Sequence, residues 1–209
     1  MIQAVIFDFG GVITDSPFEA FAKLEHARGL PENFIRGINA TNPHENAWAR
    51  FERSELDLAG FDAAFATEAR AAGHQLRGAD VLACLHGAGR PAMVKALETI
   101  RARTKAGCIT NNVKDENKAS SWRSSEVERV MGMFHHVIES SKVGLRKPDP
   151  RIYAMMVEAL NVDPKACVYL DDLGINLKPA RAMGMTTIKV QSGEQALTEL
   201  EAATGFTLR

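Results

Sequence analysis

Two apolar runs in this chain end in carboxylates. Ala4-Val5-Ile6-Phe7 runs into Asp8 and then Gly10-Gly11, and Val168-Tyr169-Leu170 runs into Asp171-Asp172. A short Val/Ile run closed by glycines reads as a strand buried on both faces, as in a parallel sheet. In open α/β sheets ligand chemistry gathers beyond the carboxyl ends of the strands, where Asp8 would emerge. Adjacent like charges repel, so Asp171 and Asp172 stay ionised most easily beside a cation. Oxygen ligands from Asp8, the Gly10 main-chain carbonyl and Asp172 suit Mg²⁺, a hard cation that keeps several waters. Asn176, on the following helix, is placed to orient one of those waters. The competing reading makes Asp8 a loop cap, Asp171 a helix N-cap and Asp172 a surface charge.

A third apolar run, Ala106–Thr110, ends beside Asn111-Asn112. Thr110 and Asn111 offer a hydroxyl, a side-chain amide and backbone N–H groups, which together suit anionic oxygens. Gly11, in the glycine turn after Asp8, is a further candidate for phosphate binding. Lys147 lies within Gly144-Leu145-Arg146-Lys147-Pro148-Asp149-Pro150 and supplies a cation ahead of a helix. Its neighbour Arg146 reads as solvated.

The elements that must position these groups alternate. The order is a strand at Ala4–Phe7, a helix over Ser16–Arg28 with Ser16 as N-cap, and short helices at Pro31–Ile38, Asn46–Arg53, Leu58–Ala72 and Asp80–Leu85. Pro91–Arg103 is amphipathic, with Met93, Leu97 and Ile100 on one stripe. Strands at Ala106–Thr110, His136–Glu139, Ala166–Leu170 and Thr186–Val190 then alternate with helices at Val127–Met131, Asp149–Leu160, Ile175–Met183 and Glu194–Ala203. A polar loop spans Lys114–Ser125. Such alternation implies right-handed crossovers, a parallel sheet and an α/β fold. The expected division is a core of residues 1–15 and 87–209, with a helical insertion of residues 16–86. Within that insertion Trp48 and Phe51 read as internal packing.

The chain has 209 residues, enough for one substantial core and a modest insertion. Lys+Arg 25 against Asp+Glu 26 leaves a net charge of −1 without a basic block, which argues against nucleic acid as a partner. The opening apolar run lacks a basic leader and is too short to span a bilayer, so neither a signal peptide nor a membrane anchor is expected. The 3 cysteines, Cys84, Cys108 and Cys167, have no CxxC spacing, and two fall in expected buried strands, which fits a reducing cytoplasm. The 6 histidines show no zinc spacing.

The ordered motifs DFGGV, ITN, RKPDP and YLDD resemble the four signatures of the haloacid dehalogenase superfamily. The helices after DFGGVITD look like that family's first-type cap domain. The stretches KPDPRIY, YLDDLGINLKPARAMGMTTIKV and ALTELEAATGFTLR further resemble the amino-terminal phosphatase-like module of soluble epoxide hydrolases and of some acyl-CoA dehydrogenase fusions. The resemblance implies a Rossmann-like three-layer core and a Mg²⁺-dependent hydrolysis of small organic phosphates through an aspartyl-phosphate. It implies Asp8 as nucleophile, Thr110 and Asn111 as phosphate cradle, Lys147 as its cation, and Asp172 as a metal ligand. Gly10 departs from the pattern, because phosphatases of the family usually place a second Asp there as general acid and base. Two alternatives remain: a 2-haloacid dehalogenase using the same nucleophile without metal, and a catalytically weakened binding module. Neither the substrate nor the oligomeric state is carried by these motifs.

Overall fold

The computed structural model describes residues 1–85, 89–112 and 125–209. Five strands form one parallel sheet: β1 (Ala4–Phe7), β2 (Lys105–Thr110), β3 (His136–Glu139), β4 (Cys167–Asp171) and β5 (Thr186–Lys189), in the order β3-β2-β1-β4-β5. β1 is central and buried along its length, which is why its sequence is a continuous apolar run rather than an alternating one. Val5 and Phe7 point into one apolar layer, and Ala4 and Ile6 into the other.

The first layer is closed by α6 (Pro91–Arg103) and α11 (Gly193–Thr204), through Met93, Leu97, Ile100, Leu197 and Leu200. The second is closed by α9 (Pro150–Leu160) and α10 (Gly174–Ala182), through Ile152, Tyr153, Met156 and Leu177. This is the expected three-layer α/β core. Strand order reverses direction between β1 and β4, the position at which such sheets leave a crevice at their carboxyl edge.

Between β1 and α6 lie α1 (Phe18–Ala27), α2 (Phe34–Ala40), α3 (Ala47–Glu52), α4 (Leu58–Ala71) and α5 (Gly78–Leu82), the last followed by a 3₁₀ turn at Ala83–Leu85. These helices bury their own apolar cluster. Phe61 stacks on Phe51 at 4.5 Å between ring centroids and meets Trp48 edge-on at 5.5 Å. Such pairs add about 0.5–1.5 kcal/mol each beyond area burial. The chain enters and leaves this segment at adjacent points: Thr14 bridges Gly89, and the Arg90 N–H donates to the Ile13 carbonyl at 2.8 Å.

Several helix starts differ from the sequence expectation. α1 begins at Phe18 behind Pro17, and Ser16 makes no cap, because its hydroxyl donates to the Asp172 carboxylate at 3.1 Å. That hydroxyl is directed at a charged acceptor instead of at the backbone N–H groups that open the helix. α2 begins at Phe34 rather than Pro31, since buried Glu25 of α1 accepts from the Asn33 and Ile35 N–H groups at 2.9 Å each. α5 starts at Gly78, where Asp62 of α4 accepts from the Ala79 N–H at 2.9 Å. α7 occupies Ser125–Met131, and the short α8 occupies Ser140–Val143. The polar stretch expected over Lys114–Ser125 lies largely outside the described residues.

Candidate active site

Asp8 directly follows β1, Thr110 ends β2 and Asp171 ends β4. Register aligns Phe7 with both Cys108 and Leu170, so these side chains leave the sheet side by side. Asp8 is buried, and its Oδ1 accepts from the Phe9 N–H at 2.6 Å. The same oxygen lies 2.8 Å from Lys147 Nζ.

Lys147 is 1% exposed, and its ammonium also lies 2.8 Å from Asp171 Oδ2. A buried lysine is costly unless it is paired and hydrogen-bonded, and here it bridges two carboxylates. Burial works against the charged form, but the Asp171 and Asp8 carboxylates outweigh it and hold the ammonium above the ordinary lysine value. Burial pushes the Asp8 carboxyl well above its usual range, the Lys147 charge opposing and the Asp171 charge adding to the rise. Asp172 is raised by burial and by its neighbour Asp171.

Asp171 is neither a simple helix cap nor a free ligand. Its Oδ2 accepts from Lys147 and, at 2.6 Å, from the Tyr169 hydroxyl. Its Oδ1 accepts from the Leu173 N–H at 2.8 Å, and the Asn176 amide donates to both oxygens at 3.1 and 3.2 Å. Asn176 is thus spent on Asp171. Tyr153 completes the support: its hydroxyl donates to the Asn176 carbonyl at 2.7 Å, and its ring meets Tyr169 edge-on at 5.4 Å.

Oxygens of Asp8, Asp171 and Asp172 lie within 4.8 Å of one another, the group of acidic side chains among the described residues that could hold a metal ion. Three carboxylates around one ammonium leave an excess of negative charge that a hard divalent cation would relieve. With Asp171 saturated by protein donors, Asp8 and Asp172 are the carboxylates with room for it. Gly11 has φ +75°, and a Cβ there would collide with the Asp172 carboxylate. A Cβ at Gly10 would meet nothing within 4 Å.

Asn111 has a different contact from the anion cradle expected of its amide. Its Oδ1 accepts from the Lys147 N–H at 2.8 Å and its Nδ2 donates to the Lys147 carbonyl at 3.1 Å. Asn112, which sequence reasoning passed over, ties β2 to the residues after β3. Its N–H donates to Ser140 Oγ at 3.0 Å, and its Oδ1 accepts from the Ser141 hydroxyl at 2.9 Å. A polar residue straight after an apolar strand was the available signal. Arg146, expected to be solvated, is only 19% exposed and lies 2.6 Å from Glu52. A buried acceptor on the helical segment draws it in.

The family model described as haloacid dehalogenase-like hydrolase matches residues 2–184. The bifunctional epoxide hydrolase 2 of Sus scrofa is 29% identical over 219 residues, covering 99% of this chain and 40% of its own length. The chain thus spans about two fifths of that relative. A phosphorylated carbohydrates phosphatase of Thermotoga maritima is 24% identical over 194 residues, with 90% of this chain and 84% of its own covered. A HAD family enzyme of Bacteroides thetaiotaomicron, solved in complex with magnesium and inorganic phosphate, superposes with a TM-score of 0.59 at 18% identity, covering 92% of this chain and 96% of its own. No helix among the described residues is long and apolar enough to cross a membrane. The family match runs from the strand that delivers Asp8 through the helix behind Asp171, and on it the chain belongs to the haloacid dehalogenase-like hydrolases.

Proposed function

We propose that this chain hydrolyses small organic phosphomonoesters with Mg²⁺, through an aspartyl-phosphate on Asp8. The observation that carries the reading is the Lys147 ammonium, held 2.8 Å from both Asp8 and Asp171 at the switch point of the sheet. That cation offsets the repulsion between a carboxylate nucleophile and an incoming phosphate dianion. Asp8, the Gly10 carbonyl and Asp172 would hold Mg²⁺, which supplies charge neutralisation at the phosphoryl oxygens.

Asp8 attacks phosphorus in line, a P–O bond forms to its carboxylate, and the ester oxygen leaves with the bonding electrons. The Thr110 hydroxyl and the Gly11 and Asn111 backbone N–H groups orient the equatorial oxygens, while Lys147 balances their charge. Water then cleaves the acyl phosphate, which returns the Asp8 carboxylate and releases inorganic phosphate. The core comprises residues 1–15 and 87–209, and residues 16–86 act as a cap that excludes bulk water and selects the leaving group.

The absence of a carboxylate at position 10 favours one other reading, in which Asp8 displaces halide from a 2-haloacid without metal. A screen of phosphate esters and 2-haloacids against the purified protein, with and without Mg²⁺, separates the two. Mg²⁺-dependent phosphate release is expected; metal-independent halide release would replace this reading.

A further inference from the structure

The helical segment is fastened to the core one residue away from Lys147. Glu52, the last residue of α3, is buried with 7% of its surface exposed. One of its oxygens accepts from the Trp48 indole N–H at 2.7 Å, and the other from Arg146 Nε at 2.6 Å. Arg146 Nη1 also donates to the Pro43 carbonyl, 2.9 Å away, so a single guanidinium engages both the chain ahead of α3 and the last residue of α3. A second bond lies alongside: the Ser54 hydroxyl donates to the Ser141 carbonyl at 3.0 Å.

The peptide that joins Arg146 to Lys147 carries the N–H accepted by Asn111. A displacement of the Arg146 main chain would be passed to the Lys147 backbone across one planar unit. From there the side chain reaches Asp8. A buried carboxylate left without its cation is strongly destabilised, so breaking the Arg146–Glu52 pair would require Glu52 to regain water.

We propose that Arg146 is a positioning residue: its ion pair with Glu52 couples the seating of α3 on the core to the placement of Lys147 against Asp8. This rests on the phosphatase reading for its catalytic consequence, and on geometry alone for the coupling. Undocking of α3 would loosen the peptide that Asn111 clasps while the site is open, and redocking would restore the seat of Lys147 against Asp8 as the site closes over substrate.

The test uses the full chain as Arg146→Gln, Glu52→Gln, the double variant and Arg146→Lys. Initial rates with an aryl phosphate and Mg²⁺ should show kcat lowered about tenfold to a hundredfold in each glutamine variant. The double variant should be no worse than either single one, and Arg146→Lys should recover part of the loss. Amide hydrogen exchange supplies a readout independent of turnover: Arg146→Gln should speed exchange in α3 and at Lys147 together. Faster exchange in α3 with Lys147 unchanged would overturn the proposal, as would additive losses in the double variant. A parent protein that hydrolyses no phosphate ester would instead remove the phosphatase reading, and the paired exchange response alone would then decide the coupling.

Discussion

Asn111 clasps Lys147 by its backbone, accepting from the N–H at 2.8 Å and donating to the carbonyl at 3.1 Å. The residue at the end of one strand thus fixes the main chain that presents the site's cation. Asn111→Ala should leave the sheet intact but lower kcat about a hundredfold, since displacement of a reacting group by about 1 Å costs that much. Loss of the two bonds should cost roughly 1–3 kcal/mol of stability. Urea unfolding together with initial rates checks both. Unchanged kcat would mean that Lys147 is held adequately by Asp8 and Asp171.

The two glycines after Asp8 should respond in opposite ways. Gly11→Ala places a Cβ against the Asp172 carboxylate and forces a side chain into the left-handed region, which costs about 1–2 kcal/mol before any collision. Its Mg²⁺ affinity, measured by isothermal titration calorimetry, should fall sharply. Gly10→Ala meets open space and should bind Mg²⁺ as the parent does.

The missing acid at position 10 should show in leaving-group dependence. General acid catalysis is typically worth about 10²–10⁴-fold, so aryl and acyl phosphates should react readily and simple alkyl phosphates poorly. Asp15 is a poor substitute, being exposed and paired with Arg90 at 3.2 Å. The same absence should slow the second step, so that a burst of alcohol precedes steady turnover. Gly10→Asp, whose Cβ has room, should flatten the leaving-group dependence and remove the burst. Rapid alkyl phosphate hydrolysis by the parent would show that another acid is already in place.

Asp62 gives a pH dependence of stability. The Arg77 guanidinium beside it, and the N–H groups that open α5, hold its carboxyl below the usual value of 3.8. A carboxyl depressed on folding contributes stability that is full above 3.8 and is lost as pH falls through its lower folded value. The stability gap between the parent and Asp62→Asn, from urea unfolding, should therefore narrow as pH drops below 3.8 and stay constant above it. A gap that widens in acid would contradict this assignment.

The sheet was legible in sequence because its signals are local. The run Ala4–Phe7 and the stripe Met93, Leu97, Ile100 each state their burial by periodicity alone, and Pro91–Arg103 was bounded correctly. The starts of α2 and α5 were not, because their caps, Glu25 and Asp62, belong to other helices. Site residues followed the same division. The placement of Asp8, Thr110 and Asp171 at neighbouring strand ends could be read from where each apolar run stopped. The commitments of Asn111 and Arg146 could not, since their partners lie 36 and 94 residues away and only the folded chain brings them together. Tyr169 illustrates the limit from the other side. It reads as one more buried strand residue, and only its hydroxyl contact with Asp171 shows that it supports the site.

The central claim is that Asp8 becomes phosphorylated, and trapping that species tests it most directly. The protein should be mixed with an aryl phosphate and Mg²⁺, quenched in acid within the burst, digested, and read by mass spectrometry beside Asp8→Asn. The account predicts phosphate on the peptide that carries Asp8 in the parent, and neither label nor turnover in the variant. Full turnover by folded Asp8→Asn, or phosphate found on another residue, would contradict it.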